Sequence, residues 1–438
     1  MSTAAASRFK EPFTHLDQFY VSCLWLAYNF QWGAILFIVL PMQVEAAVGA
    51  AQKEAVLGQI LPLGAILSLI ITPITGALSD RSRNPKGKRR PYLVVGALIN
   101  CAALLVLGAS GQGTSAWILA IGFMGAQLGC NWWGGPYAGL IPDVVPPKLH
   151  GRASGWQALM TALGLILGSL AGGFLVRGSN FWPVYLCIIG VQLITLALTL
   201  YGVREPKPVG AAEPFRLGPF MRSFVLDPKE HRNFYWVLVT RAFVNMGVYA
   251  ISPYFVYFMG DIILRGDIAA RGLNPAQAGE YAGQMTSILM VIIIGMGIPT
   301  SLTAGMLSDR TGRKPLVYLS GAVMAIACAI YIGVSFSPSL ALTFIVAGIY
   351  GIGNGAYQAV DWALALDVLP SGEDAAKDMG VWHVAIVLPQ VLAPWISGMV
   401  IHAFKSQSLL MGYTTIFAMA AVWFVLGTIF VRQIRGVR

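Results

Sequence analysis

The sequence predicts an all-α membrane protein of twelve spanning helices, arranged as two pseudo-symmetric six-helix bundles. Three observations predict it: too few charges to cover a water-facing surface, lysines and arginines confined to alternate loops, and an internal repeat in which the second half restates the first.

The chain has 438 residues, of which 56% are hydrophobic and 11% charged. A soluble protein of this length would carry roughly a quarter charged residues. Lipid must therefore solvate most of the surface. The five cysteines, Cys23, Cys101, Cys130, Cys187 and Cys328, are scattered through apolar stretches without paired spacing, so neither a disulfide framework nor a metal site is expected. The stretch from Ser2 to Asp17 is polar and no short apolar core with a small-residue cleavage site follows, so no cleaved signal peptide is expected.

A helix needs about 20 mostly apolar residues to cross the hydrocarbon core. Twelve stretches qualify: 18–46, 55–79, 91–111, 114–143, 152–176, 181–203, 233–260, 277–307, 315–335, 338–368, 379–403 and 409–431. With the N-terminus placed in the cytoplasm, the cytoplasmic segments hold 23 lysines and arginines and the outer loops 5, with Arg241 inside a span. The asymmetry predicts that both termini are cytoplasmic and that the chain sits in the cell (inner) membrane. It also explains the net charge of +10 as a topology signal, so no nucleic-acid partner is expected. The proline- and charge-rich segment 204–232 divides an N-terminal bundle (1–203) from a C-terminal one (233–438).

The halves repeat. Gly76-Ala-Leu-Ser-Asp80-Arg81 closes the second span, and Gly305-Met-Leu-Ser-Asp309-Arg310 closes the eighth. Pro91 and Pro315 open the third and ninth; Asp143-Val-Val-Pro146 and Asp367-Val-Leu-Pro370 close the fourth and tenth. Two bundles of one design suit alternating access, in which one rocks against the other. The Gly-x-x-x-Asp-Arg motif followed by a basic cluster, present twice, resembles the signature of the major facilitator superfamily. The second copy (Gly305, Asp309, Arg310, Gly312, Arg313, Lys314) fits closely. The first carries an insertion at 82–86 before Gly87-Lys88-Arg89-Arg90-Pro91-Tyr92, and this longer form resembles the sucrose symporters and the related glycoside–pentoside–hexuronide cation symporters.

That resemblance implies a secondary transporter whose loop charges latch the cytoplasmic side. Gly76 and Gly305 are expected to allow close helix packing. Asp80 with Arg81, Arg89 and Arg90, and Asp309 with Arg310 and Arg313, are expected gate residues, joined by the pairs Asp143–Arg152 and Asp367–Lys377.

Ionisable groups within a membrane usually face a cavity or each other. Arg241 lies roughly 12 Å into the seventh span and Asp361 roughly 9 Å into the tenth from the same side, so they can pair. The resemblance places helices seven and ten around the central cavity. Each residue belongs to a polar stripe at helical spacing: Arg241, Asn245, Tyr249, and Asn354, Gln358, Asp361. Further candidates are Asn29, Gln31 and Trp32 on the first span, Gln127, Asn131, Trp132 and Trp133 on the fourth, Trp156 and Gln157 on the fifth, and Trp382, His383 and Gln390 on the eleventh. Amides bond hydroxyls in both directions and indole faces suit the C–H faces of a pyranose. Hence the expected cargo is a sugar, a disaccharide such as sucrose or maltose, moved by a monomer with no cofactor. Asp361 is the first candidate proton site, with Arg241 as partner: burial favours the neutral acid and the cation the charged one, so a changing cavity can load and release a proton. A static structural ion pair is the rival reading. His383 is a second candidate. The resemblance departs in the fourth span, where plant sucrose symporters carry a mid-membrane acid and this chain has Gln127 and Asn131.

The alternatives are a proton-driven exporter of an amphipathic compound and a non-transporting protein with a carrier fold. A membrane enzyme is not expected, since no ligand cluster or nucleophile motif is present.

Overall fold

The computed structural model describes residues 12–111, 113–206, 231–367 and 375–434, the side chains of Leu366 and residues 375–383 excepted. Among these residues there are twelve long helices and no strand. They are α1 His15–Val48, α2 Lys53–Arg81, α3 Arg90–Ala109, α4 Ala116–Ala138, α5 His150–Phe174, α6 Trp182–Gly202, α7 Arg232–Ile263, α8 Pro275–Thr311, α9 Arg313–Phe336, α10 Leu340–Asp367, α11 Ala375–Phe404 and α12 Leu409–Phe430. Eleven are long and apolar enough to cross a membrane by length and composition alone. The twelfth is α4, which carries Gln127, Asn131 and two tryptophans. The expected twelve helices are present, with ends shifted by a few residues. Most of the boundary segment 204–232 lies outside the described residues.

Sequence chemistry sets the ends. Thr14 caps α1 by accepting from the Asp17 amide, and Asp17 reaches back to the Thr14 amide at 2.8 Å. Asn274 and Gln277 do the same for α8, with Pro275 in its first turn. Twelve crossings return the chain to its starting side, so His15 and Ile434 share one face, called here the terminal face; the opposite one is the far face.

Two helices are irregular. α1 contains a π-helical turn at Ile35–Val39 and α7 another at Met259–Ile263. Each is in the first helix of its half, but the turn lies in the middle of α1 and at the end of α7. α7 also has a tight turn at Ser252–Tyr254, with Pro253 in it.

Within each half the same partners pack: α1 on α5, α2 on α4 and α3 on α4, and correspondingly α7 on α11, α8 on α10 and α9 on α10. Across the halves α2 packs on α11 and α5 on α8. Glycines permit the closest approaches. A Cβ at Gly135 of α4 would overlap the Thr72 carbonyl of α2, and one at Gly355 of α10 the Gly297 backbone of α8. Gly76 and Gly305, expected in this role, do not fill it: a Cβ there would meet only ordinary contacts, 3.8 Å from Gly135 and 4.0 Å from Ala359. The close packing lies one to several turns deeper, on partners outside the loop motif.

Hydrogen bonds and ion pairs joining the halves gather at the far face. Tyr257 donates to the Pro41 carbonyl at 2.7 Å, Lys53 pairs with Asp261 at 2.9 Å, Lys405 with Glu54 at 2.6 Å, and Arg177 with Glu280 at 3.2 Å.

Candidate functional site

The charged centre is assembled from α7 and α10. Arg241, 7% exposed, donates through Nη1 to Oδ2 of Asp361, which is 1% exposed. Tyr357, one turn before Asp361 on α10, donates to Oδ1 at 3.0 Å. Both carboxylate oxygens are thus engaged, and both charges are out of water in this arrangement. Such a pair is maintained by mutual attraction and by the added hydroxyl, and removing one partner strands the other.

The rest of the α7 stripe bonds to α11. Asn245 Nδ2 donates to the Ala385 carbonyl at 3.4 Å, and Gln390 Nε2 donates to the Tyr249 hydroxyl at 2.7 Å. On α10, Gln358 is exposed, and the Asn354 side-chain carbonyl is buried without a hydrogen-bond partner among the described residues. Trp382 and His383 lie outside the described side chains.

On the N-terminal side, Gln127 and Asn131 of α4 hold each other: Asn131 Nδ2 donates to Gln127 Oε1 at 2.9 Å, and Thr72 of α2 donates to Asn131 Oδ1 at 3.1 Å. Asn29 donates to the Trp25 carbonyl at 2.8 Å and to Thr161 of α5 at 3.3 Å. Gln157 is half-buried on α5, one turn before Thr161. Trp156 packs on His15 and Phe19, near the terminal face. Trp32 meets Tyr28 and Phe123 edge-on, and Tyr28 meets Trp133 at 5.5 Å and 89°. Trp25 and Tyr137 complete this aromatic group, at 5.3 Å from each other. Trp132 is half-buried, and its indole N–H and that of Trp133 are buried without partners among the described residues.

Gln31 departs from expectation. Its amide faces α3 and α6 in a buried triad, accepting from Asn100 at 2.6 Å while Asn100 also donates to Gln192. It lies two residues past Asn29, about 200° round the helix, and so points into the bundle.

The terminal face carries two copies of one charge cluster. In the first, Arg89 donates to Asp80, to Ser79 Oγ at 2.6 Å and to Asp143 at 2.9 Å, and Lys88 reaches Asp143 at 2.9 Å. In the second, Arg313 donates to Ser308, to Asp309 at 2.5 Å and to Asp367 at 3.2 Å. The repeat therefore aligns Arg89 with Arg313. Of the arginines expected beside Asp80, Arg89 is there, whereas Arg90 donates to the Leu200 carbonyl at 2.8 Å and to that of Val203, as Lys314 does to Ile434. The expected Asp143–Arg152 pair does not form: Arg152 donates to the Phe13 carbonyl at 2.9 Å. Arg81 donates to the Ala77 carbonyl at 2.9 Å, and Arg310 is exposed. The side chain of Lys377, the expected partner of Asp367, lies outside those described. Each cluster ties helices of its own half, α2–α3–α4 and α8–α9–α10. Glu205, just beyond α6, accepts from the Arg89 and Arg90 amides at 2.8 and 3.1 Å. Burial pushes its carboxyl above the usual range, and those amides and the two arginine charges oppose the shift.

Sequence reasoning did not single out Trp25, Tyr28, Phe123, Tyr137 or Tyr357. The signal was available: Trp25, Tyr28 and Trp32, and Trp133 and Tyr137, recur at three- and four-residue spacing, and Tyr357 precedes Asp361 by four.

The family profile described as the Major Facilitator Superfamily matches residues 21–266 and 254–435. The chain belongs to this superfamily. It is a multi-pass membrane transporter, and not an enzyme. Among the relatives of this major facilitator protein is a sucrose transport protein of rice (Oryza sativa subsp. indica), 23% identical over 428 residues covering 84% of each chain. Another is the multidrug resistance protein MdtG of Escherichia coli O9:H4 (strain HS), 24% identical over 282 residues covering 64% of this chain and 63% of that one. A solved D-xylose-proton symporter shares the fold, with TM-score 0.67 and 16% identity over 94% of this chain and 97% of that one.

Proposed function

We propose that this transporter is a proton-coupled symporter of a glycoside, a disaccharide in size, in the cell (inner) membrane with the terminal face in the cytoplasm. The observation that carries the reading is the buried Arg241–Asp361–Tyr357 centre in the C-terminal half, set against amides and tryptophans in the N-terminal half. Asn29, Gln127, Asn131, Gln157, Asn245, Asn354, Gln358 and Gln390 supply donors and acceptors for sugar hydroxyls. Trp32, Trp132 and Trp133 supply flat apolar faces. The rice relative, named for sucrose transport, supports the substrate class. The excess of lysine and arginine on the terminal face supports the orientation. The bundles are 1–203 and 233–438, joined by 204–232, and the monomer is the working unit.

The pair supports a simple coupling scheme. Asp361 holds its charge while Arg241 stands beside it. When rocking of the bundles separates α7 from α10, the carboxylate loses its counter-ion and takes a proton; their return expels it.

Uptake of labelled sucrose and maltose into proteoliposomes, with and without an inward proton gradient, tests the reading. Gradient-driven accumulation is expected, and Asp361→Asn should abolish accumulation while leaving exchange. Full accumulation by that variant would sink the proton assignment. The bacterial multidrug resistance relative and the aromatic group around Tyr28 favour a second reading, export of an amphipathic compound. Thermal stabilisation by such compounds and by no sugar would select it.

A further inference from the structure

Five charged side chains meet at the far face, and none belongs to the sugar or proton site. Lys53, the first residue of α2, is 2% exposed. Its ammonium lies 2.9 Å from Glu45 of α1 and 2.9 Å from Asp261 of α7, and 4.6 Å from the centre of the Tyr257 ring. Asp261 sits within the π-helical turn of α7, and its other oxygen accepts from Tyr413 of α12 at 2.6 Å. Beside them Glu54, fully buried, accepts from Lys405 at 2.6 Å, and Lys405 also donates to the Ala50 carbonyl.

The arrangement is reciprocal. A lysine of the N-terminal half grips a carboxylate of the C-terminal half, and a lysine of the C-terminal half grips one of the N-terminal half. We propose that Lys53 and Lys405 are the locking residues of a far-face gate, the ties that must break each time the far side of the central cavity opens. The terminal-face clusters differ in kind, since each closes within one half.

Charge suits a lock that must be undone. A buried ion pair roughly balances Coulomb attraction against lost hydration. Opening returns the buried Lys53 and Glu54 to water and completes the hydration of the partly exposed Glu45, Asp261 and Lys405, which offsets much of what the broken pairs cost. An apolar seal of the same area would have no such return. The balance is upset when one partner is removed. Without the Lys53 charge, the partly exposed Glu45 and Asp261 and the fully buried Glu54 are left as neighbouring carboxylates with one cation fewer, and opening relieves them. Lys53→Met should therefore favour the open far face by about tenfold or more, while Lys53→Arg keeps the lock.

The test needs no cargo, so it is separable from the sugar and proton assignments. In a cysteine-free background, spin labels are attached at Ala51→Cys and Gln407→Cys, exposed positions in the α1–α2 and α11–α12 loops. Distances between them are measured by electron–electron resonance in lipid nanodiscs. Lys53→Met and Lys405→Met are each expected to enlarge the long-distance population relative to the parent, and Lys53→Arg to leave it unchanged. Should Lys53→Met not be recovered folded, Lys405→Met carries the reading alone, because its side chain is more exposed, at 23%. Distributions identical to the parent in the recovered methionine variants overturn the proposal.

Discussion

Neutralising Asp361 should cost far more than one hydrogen bond. The carboxylate is 1% exposed, and it is the charged partner of an arginine that is only 7% exposed. Asp361→Asn preserves the volume and much of the contact with Tyr357. It removes the counter-charge and leaves a guanidinium buried between α7 and α10. Breaking a buried pair from one side costs about 3–5 kcal/mol, whereas replacing both partners by neutral groups of similar size is often neutral or stabilising. Arg241→Met should thus be similarly damaging alone, and the double variant Arg241→Met/Asp361→Asn should recover most of the loss. The assay is reversible unfolding in detergent, arranged as a double-mutant cycle, with about 3 kcal/mol or more of coupling expected. If the two losses simply added, or if Asp361→Asn stayed within about 0.5 kcal/mol of the parent, the pair would not be holding the helices as argued.

Further variants separate the roles of neighbouring residues. Gly355→Ala should destabilise by about 1–3 kcal/mol because its methyl would overlap the α8 backbone, while Gly305→Ala should be nearly silent; thermal unfolding compares them. Gln31→Leu removes both hydrogen bonds exchanged with the buried Asn100 amide, so stability should fall by about 1–3 kcal/mol, with the apparent affinity for sugar unmoved in a transport assay. Asn29→Leu, in contrast, should weaken sugar affinity if Asn29 faces the cargo as proposed. Arg89→Ala should be more harmful to stability than Arg90→Ala, because only Arg89 neutralises two carboxylates; equal losses would undo the assignment of Arg89 as the counterpart of Arg313.

The fold was legible because it is written in quantities that survive a one-dimensional reading. Span length and charge scarcity depend on composition alone, and the repeat on matching letters. The Arg241–Asp361 contact was legible for a related reason: the sequence sets one cation and one anion at similar membrane depth in two spans, and opposite charges in lipid attract. Direction round a helix was harder. Gln31 and Asn29 differ by two residues, yet one joins a structural amide triad and the other reaches α5. Choice among adjacent basic residues was harder still. Arg89 and Arg90 are both arginine, and only the position of Asp143, brought over by α4, decides which becomes the hub. The loop glycines misled because a motif marks a position without saying what packs against it, whereas Gly135 and Gly355 lie against backbone that only the fold brings near. The far-face lysines were read purely as minority charges in the topology count, since their partners lie on other helices.

The π-helical turns at Ile35–Val39 and Met259–Ile263 change the phase of their helices. Each accommodates one residue more than an α-helical turn, which rotates everything beyond it by about 100° relative to what precedes it. The two parts of α1 thus address different neighbours: Trp25 and Asn29 look toward α4 and α5, Pro41 and Glu45 toward α7 and α2. A single helical wheel drawn through the whole span mixes the two registers. Deleting one residue from either turn would be a phase error, swinging Glu45 or Asp261 away from Lys53 without altering either side chain. The first helix of each half thus carries one such offset in its screw, in the middle of α1 and at the end of α7.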